Sequence, residues 1–519
     1  MTTVRDAVRA LMRGWKLTTV FGNPGSTELT FLADWPDDFR YVLGLSETSV
    51  VAMADAFAQL SGNAAVVNVH SAGGLGHGLG SLVTAFHNRA PLIVLAGQQS
   101  RSLLPGDPYL GALEATEFPR PYVKWSYQPA RGEDVPAAFA RAYHLAMQPP
   151  TGPVFLSVPA DDWNLPATIP RAGPRIAPFS PDPEALASVA SALDASTRPA
   201  LVVGAAVDAD NAVSEVVELA EKTLTAVWAA PFSARSSFPE NHPLFAGFLP
   251  PNPAGVAGAL APYDCVVVLG APAFTYHVVS ANGPELPPLH VISDDPQILA
   301  RAPEAAGVLA TARTAAAHLK ALVRTADRPA PEPRKPAPPA PEPGPGMPMS
   351  PAFVYRTLAE LLPEDALVVE EAPTHRGVLQ EQLPIAPPRG FLTMSSGVLG
   401  YGLPAAVGAA LAQPARQVVA VLGDGSSMYA IQALWTAARQ RTRVVFVILD
   451  NGEYGAVRKH ATRNDAGKVP GIELGGLDFT ALAQGMGCAA HRIDTATHLR
   501  SALTSAFTSA EPTLLHVTL

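Results

Sequence analysis

Cysteine is almost missing from this chain. Only Cys265 and Cys488 occur in 519 residues, too few and too far apart for a disulfide framework or a thiolate metal cluster, so buried reduced thiols are expected. Charge is scarce as well. Asp, Glu, Lys and Arg make up 16% of the residues, and the net charge of −9 is spread along the sequence, which argues against nucleic acid as the main partner. No apolar run is long enough to span a bilayer, so no membrane partner is expected. The opening stretch MTTVRDAVRALMRGWK mixes Asp6 with arginines where a secretory leader needs an apolar core. A cytoplasmic location is the expectation.

Apolar residues, by contrast, make up 48% of the chain, enough for sizeable cores. A chain this long exceeds one hydrophobic core and points to about three domains. Proline marks the divisions: the stretches 166–181 and 327–349 are too rich in it for helix or sheet interior and read as extended linkers. They leave blocks 1–165, 182–326 and 350–519. Each alternates short β-branched runs with helical patterns, for example AAVVNVH and PLIVLAG in the first, CVVVLGAP in the second and VVFVILD in the third. That alternation predicts an α/β protein of three doubly wound parallel-sheet domains.

The richest segment runs from VVAVLGDGS through a helix-length stretch to VVFVILD and Asn451-Gly-Glu-Tyr-Gly. Two parallel strands would deliver Asp424 and Asn451 to one sheet edge. Gly423 and Gly425 allow a phosphate to approach the backbone, and a helix from near Ser426 to Arg439 would aim its amides at it. The Asp424 carboxylate, the Asn451 carbonyl, a backbone carbonyl at Glu453 and two phosphate oxygens would nearly complete an octahedron, which is magnesium chemistry. Gly-Asp-Gly alone is a common turn. The strand–helix–strand unit followed by Asn-Gly-x-Tyr-Gly is far more specific, and it resembles the signature of thiamine diphosphate (ThDP) enzymes. Asp450 departs from that pattern, which usually has Asn there.

In the first block, Gly22-Asn-Pro-Gly-Ser26 joins a strand to a helix expected from about Thr27, with Ser26 suited to cap it. Glu47 opens another helix, and His70 ends a buried strand. Each has an ordinary structural reading when taken singly. In this order, together with PLIVLAGQQSR, FPRPYVKWSY, GPVFLSVPADDW and the later APAFTYH ending in His277, they resemble the ThDP-dependent 2-oxo acid decarboxylases, most closely the benzoylformate decarboxylase branch. The resemblance covers nearly the whole chain.

That resemblance implies ThDP and Mg2+ as cofactors and a 2-oxo acid as substrate. It makes the first block the pyrimidine-binding domain and the last the diphosphate-binding domain. Glu47 would bond the aminopyrimidine and promote its imino form, His70 and His277 would manage protons, and Ser26 would orient the substrate carboxylate. Asn23, Thr374, Gly397, Leu399, Gly423, Asp424, Gly425, Ser426, Asn451 and Tyr454 would hold the cofactor, with Asp424, Asn451 and Glu453 on the metal. Pro24, Tyr109, Leu110, Arg376, Thr393, Ala456, Val457, His460 and Ile472 would line the substrate pocket. Arg376 has three options there: solvent, a carboxylate such as Glu371, or a substrate anion. Arg376 and His460 favour a substrate with a polar or acidic far end over plain benzoylformate. Family sites lie between two subunits, so a homodimer, paired into a tetramer, is expected. The alternative activity is carboligation of the acetolactate synthase type.

Overall fold

A strand such as VVFVILD offers no polar face, so it is stable only with helices covering both sides of its sheet. The computed structural model describes residues 2–171, 173, 178–280, 283–344 and 347–519. Among them are three parallel six-stranded sheets flanked by helices, as the alternating pattern predicts. The first holds β1 (Thr19–Asn23), β2 (Arg40–Leu43), β3 (Ala65–Val69), β4 (Leu92–Gln98), β5 (Ser126–Tyr127) and β6 (Val154–Pro159). The second holds β7 (Pro199–Val203), β8 (Ala226–Ala229), β9 (Phe245–Phe248), β10 (Cys265–Leu269), β11 (Leu289–Ser293) and β12 (Ala306–Leu309). The third holds β13 (Leu367–Glu371), β14 (Phe391–Thr393), β15 (Val418–Gly423), β16 (Val444–Asp450), β17 (Ala489–Ile493) and β18 (Thr513–Thr518).

The first sheet runs β2-β1-β3-β4-β6-β5 and the third β14-β13-β15-β16-β18-β17, the same relative order. The second runs β12-β11-β10-β7-β8-β9. In such a sheet, ligands bind where the order reverses, here between β7 and β10. There the loops leaving the two strands bond to each other. Gly204 N–H donates to the Leu269 carbonyl at 3.1 Å and Ala206 N–H to the Gly270 carbonyl at 3.3 Å.

Contacts divide the chain into two compact units. One contains Met1–Arg175, Pro341–Arg376 and Ser396–Leu519; the other contains Ile176–Ala340 and Gly377–Ser395. The first and last blocks thus share a unit. Of the expected linkers, residues 172, 174–177, 345 and 346 lie outside the described residues, and the described remainder forms neither helix nor strand. No described helix is long and apolar enough to cross a membrane.

Within the first unit, the helices Glu47–Ser61 and Gly402–Ala412 pack against each other and are buried over most of their length. Small residues let them approach closely: a Cβ added at Gly408 would fall 2.0 Å from the Met53 carbonyl oxygen. One helix starts at Glu47 and the other just after Leu399, so this contact sets the positions of both. Gly408→Ala gains about 1 kcal/mol of helix propensity, but the clash with backbone must separate the helices. We expect a net destabilisation of about 1–3 kcal/mol, read as a Tm lowered by several degrees. An unchanged or raised Tm would contradict the close-approach account.

Candidate active site

The parallel order puts the carboxyl ends of β1 and β3 side by side, and the loops that leave them carry the first group of polar residues. Pro24 and Ser26 are exposed after β1. The expected helix is a 3-10 turn, Ser26–Glu28, followed by a single α turn, Leu29–Leu32. Ser26 is its first residue and not its cap; the side chain that ties the loop is Glu28, whose Oε2 accepts the Gly25 N–H at 2.8 Å. Glu47, 5% exposed, opens its helix after β2. Its Oε1 accepts a hydrogen bond from Asn23 Nδ2 at 3.1 Å, and its Oε2 lies 3.3 Å from His77 Nδ1.

Asn23, Glu47, His70 and His77 line one cavity of about 510 Å3, with Leu45, Ser46, Thr48, Gly73 and Gly74. His77 and Glu28 were not singled out from the sequence. For His77 a signal existed, since it follows His70 by two helical turns along Ser71–His87. Leu110 joins this region through its carbonyl, which accepts the Ser71 hydroxyl at 2.7 Å, while Tyr109 is 87% exposed.

The second group sits at the carboxyl ends of β13, β15 and β16. Glu371, wholly buried, accepts N–H bonds from Gly400 at 2.6 Å, Tyr401 at 3.3 Å and Gly402 at 2.7 Å. It thereby fixes the loop that carries Leu399 and Gly397, whose φ of +77° suits only glycine well. Burial pushes the Glu371 carboxyl up to about 8, although the three amides favour its charge. Its backbone carbonyl takes the Ser426 hydroxyl at 2.7 Å. The helix after Gly423 is only Asp424–Ser427, and the next is Ala433–Gln440, so the continuous helix expected over 426–439 is broken. The longer helix that starts at this edge is Gly455–Arg463.

One end of the Asn451 amide lies 3.3 Å from Asp424 Oδ1 and 3.0 Å from the Glu453 carbonyl. An inward NH2 would donate to both; with the amide oxygen inward, three oxygens converge with no proton among them. Burial, helped by the Asp450 carboxylate, pushes Asp424 up to about 6. A surplus of oxygen ligands and negative charge fits a hard divalent cation. Asp450 meanwhile accepts the Gly452 N–H at 3.0 Å and lies 2.7 Å from His516 Nε2, shaping the turn that presents Asn451. Thr374 Oγ1 accepts the Ala456 N–H at 3.1 Å, and the Tyr454 N–H bonds the Ile472 carbonyl at 2.8 Å. Thr374 and Tyr454 therefore stand at the start of the helix Gly455–Arg463, which also carries Ala456, Val457 and His460.

Arg376 settles on a carboxylate, but not on Glu371. Its Nη2 lies 2.6 Å from Glu370 Oε2, a fully buried oxygen acceptor, and its Nε donates to the same oxygen at 2.8 Å. Thr393 and His277 belong to the other unit. There Thr393 is 1% exposed in β14, and the exposed His277 packs its ring against Phe232 at 6.0 Å. None of the residues around the Asp424 group lines the Glu47 cavity.

Models of three families match the chain in order. They are the thiamine pyrophosphate enzyme N-terminal TPP binding domain over residues 2–117, the central domain over 186–319, and the C-terminal TPP binding domain over 372–517. Benzoylformate decarboxylase of Pseudomonas aeruginosa is 42% identical across 100% of this chain and 99% of its own. The crystal structure of benzoylformate decarboxylase from Polynucleobacter necessarius superposes with a TM-score of 0.97 at 38% identity, covering 100% and 99% of the two chains. The Rhodococcus jostii ThDP-dependent 4-hydroxybenzoylformate decarboxylase gives 0.95 at 39%, covering 99% of each. Acetolactate synthases are more distant: the large subunit of Corynebacterium glutamicum is 26% identical over 98% of this chain and 84% of its own.

Two outcomes test the last-block geometry. Asp424→Ala removes the charged oxygen ligand and should abolish ThDP binding in calorimetry with Mg2+ present; unchanged affinity would show that the oxygen cluster is not the cation site. Arg376→Leu leaves Glu370 buried without its guanidinium and should cost about 3–5 kcal/mol of stability. A variant as stable as the parent would mean that the ion pair has no structural weight.

Proposed function

We infer the activity from one premise: the chain belongs to the thiamine pyrophosphate enzymes, whose family models match it from end to end. It is a carboxy-lyase that removes carbon dioxide from a 2-oxo acid without oxidation and releases the aldehyde. The carrying observation is the first-block cavity, which Glu47 and His70 line together with Asn23. When bound, ThDP supplies the electron sink that cleavage of the carboxylate carbon requires.

The protein's own groups do the rest. Glu47, held by Asn23, shares a proton with a weakly basic ring nitrogen and so activates the cofactor. His70 and His277 accept and return protons at the 2-oxo group, and Ser26 orients the substrate carboxylate. Asp424, Asn451 and the Glu453 carbonyl would hold Mg2+, Thr374, Gly423, Gly425, Ser426 and Tyr454 would hold the diphosphate, and Gly397 and Leu399 would hold the pyrimidine. Because the Glu47 cavity contains none of the metal ligands, the complete site is proposed to form between two subunits of a homodimer, paired into a tetramer, in the cytoplasm. Carboligation of the acetolactate synthase type has weaker support, since those relatives are the more distant ones.

The substrate is proposed to be an aromatic 2-oxo acid with a polar, uncharged far end, such as 4-hydroxybenzoylformate. Arg376 is already neutralised by Glu370, which removes the counter-charge an acidic end would need. His460, on the helix Gly455–Arg463, remains as a hydrogen-bonding partner. Carbon dioxide release from benzoylformate, 4-hydroxybenzoylformate, a branched aliphatic 2-oxo acid and 2-oxoglutarate tests this. We expect the highest kcat/KM for the 4-hydroxy compound, and His460→Phe should narrow its lead by about tenfold. Release from none of the four would sink the lyase reading; a lead for 2-oxoglutarate would sink the uncharged-end reading.

A further inference from the structure

Glu28 is enclosed beside the cavity, and nothing in the reaction above uses it. It is 1% exposed, and its carboxylate accepts the Gly25 N–H at 2.8 Å and the Thr27 hydroxyl at 2.6 Å. A third contact runs to His70, whose Nδ1 lies 3.0 Å from Glu28 Oε2 and 3.0 Å from Thr27 Oγ1. Packing holds the group from both sides. A Cβ at Gly97 would fall 1.9 Å from Glu28 Oε1, and one at Gly25 would fall 2.3 Å from the His70 ring. Glu28 Oε1 and the His70 ring therefore each pack directly against a glycine backbone.

Proton counting assigns the tautomer. The single hydroxyl proton of Thr27 goes to Glu28, so both oxygens facing Nδ1 are acceptors and Nδ1 must carry the hydrogen. In neutral imidazole the lone pair is then on Nε2. His70 lines the cavity with Glu47 and Asn23.

We propose that Glu28 is the positioning residue for His70: it holds the ring in one orientation with Nδ1 protonated, so that Nε2 works as the proton acceptor and later the donor. The proposal rests on the lyase reading for its catalytic consequence, while the tautomer assignment does not. The competing account is a loop cap, in which Glu28 serves only the Gly25 amide. The two differ in whether the effect passes through His70.

The test uses the full-length ThDP- and Mg2+-loaded enzyme and the best 2-oxo acid of the panel. Glu28→Gln preserves shape but places an amide opposite Nδ1, and kcat should fall at least about tenfold with little change in KM. In a His70→Ala background the same substitution should change kcat by less than about twofold. An equal loss in both backgrounds would overturn the proposal in favour of the loop cap. A second readout needs no substrate. Carbethoxylation of His70 by diethyl pyrocarbonate, followed by mass spectrometry of its peptide, should slow at least about threefold in Glu28→Gln, because Nε2 loses its fixed lone pair. An unchanged rate would overturn the assignment even if no 2-oxo acid is decarboxylated, a result that would by itself count only against the lyase reading. Should Glu28→Gln fail to fold, Glu28→Asp, which keeps the charge but withdraws it from Nδ1, takes its place in both measurements with the same expectations.

Discussion

The carboxylate of Glu371 has no access to water, and three consecutive backbone amides at the start of the helix Gly402–Ala412 satisfy it. A buried acid is stable only when such donors surround it, so the end of β13, the loop 396–402 and the following helix must keep one arrangement. That helix packs at backbone distance on the helix that begins with Glu47. Through the Ser426 hydroxyl, the same residue also touches the turn that bears Asp424. One desolvated carboxylate thus sets the relative positions of groups drawn from both ends of the sequence.

The same device recurs at lower scale. Glu28 gathers an amide, a hydroxyl and an imidazole; Glu47 takes an amide from Asn23; Glu370 takes a guanidinium. All but Glu28 lie at the carboxyl edge of a strand or on the first residue of the helix after it, where parallel sheets leave loops free to carry chemistry. Glu28 stands in the turn just beyond β1. The group that differs is Asp424, whose carboxyl is pushed up by burial and by the neighbouring Asp450, with one end of the Asn451 amide 3.3 Å from its Oδ1. A crowd of oxygen acceptors suits an ion, whereas acids satisfied by N–H and O–H donors serve architecture. That contrast separates Asp424 from the buried carboxylates around it.

The Arg376–Glu370 pair shows how packing redirects a specificity argument. Read along the sequence, an arginine near a substrate pocket suggests an anion; beside a buried acid, it is already partnered.

The sequence by itself determined the α/β class, because central strands such as β3, β4, β15 and β16 are buried on both faces and therefore appear as unbroken apolar runs. It also exposed Asp424 and Asn451, since groups carried at the ends of two adjacent parallel strands keep a fixed local spacing. Short or half-exposed strands such as β5, β9, β12, β14 and β17 carry too few apolar positions to stand out. Only the tertiary structure decided that Glu28 meets His70, that His77 meets Glu47, that Arg376 takes Glu370 in place of Glu371, and that the helix after Asp424 breaks. For the first two pairs the partners are far apart along the chain; Glu370 and Glu371 are both buried, and Glu371 is already taken by the amides of Gly400, Tyr401 and Gly402. Glu28 and Glu370 are buried acids that must find such partners, and burial is a property of the packed chain.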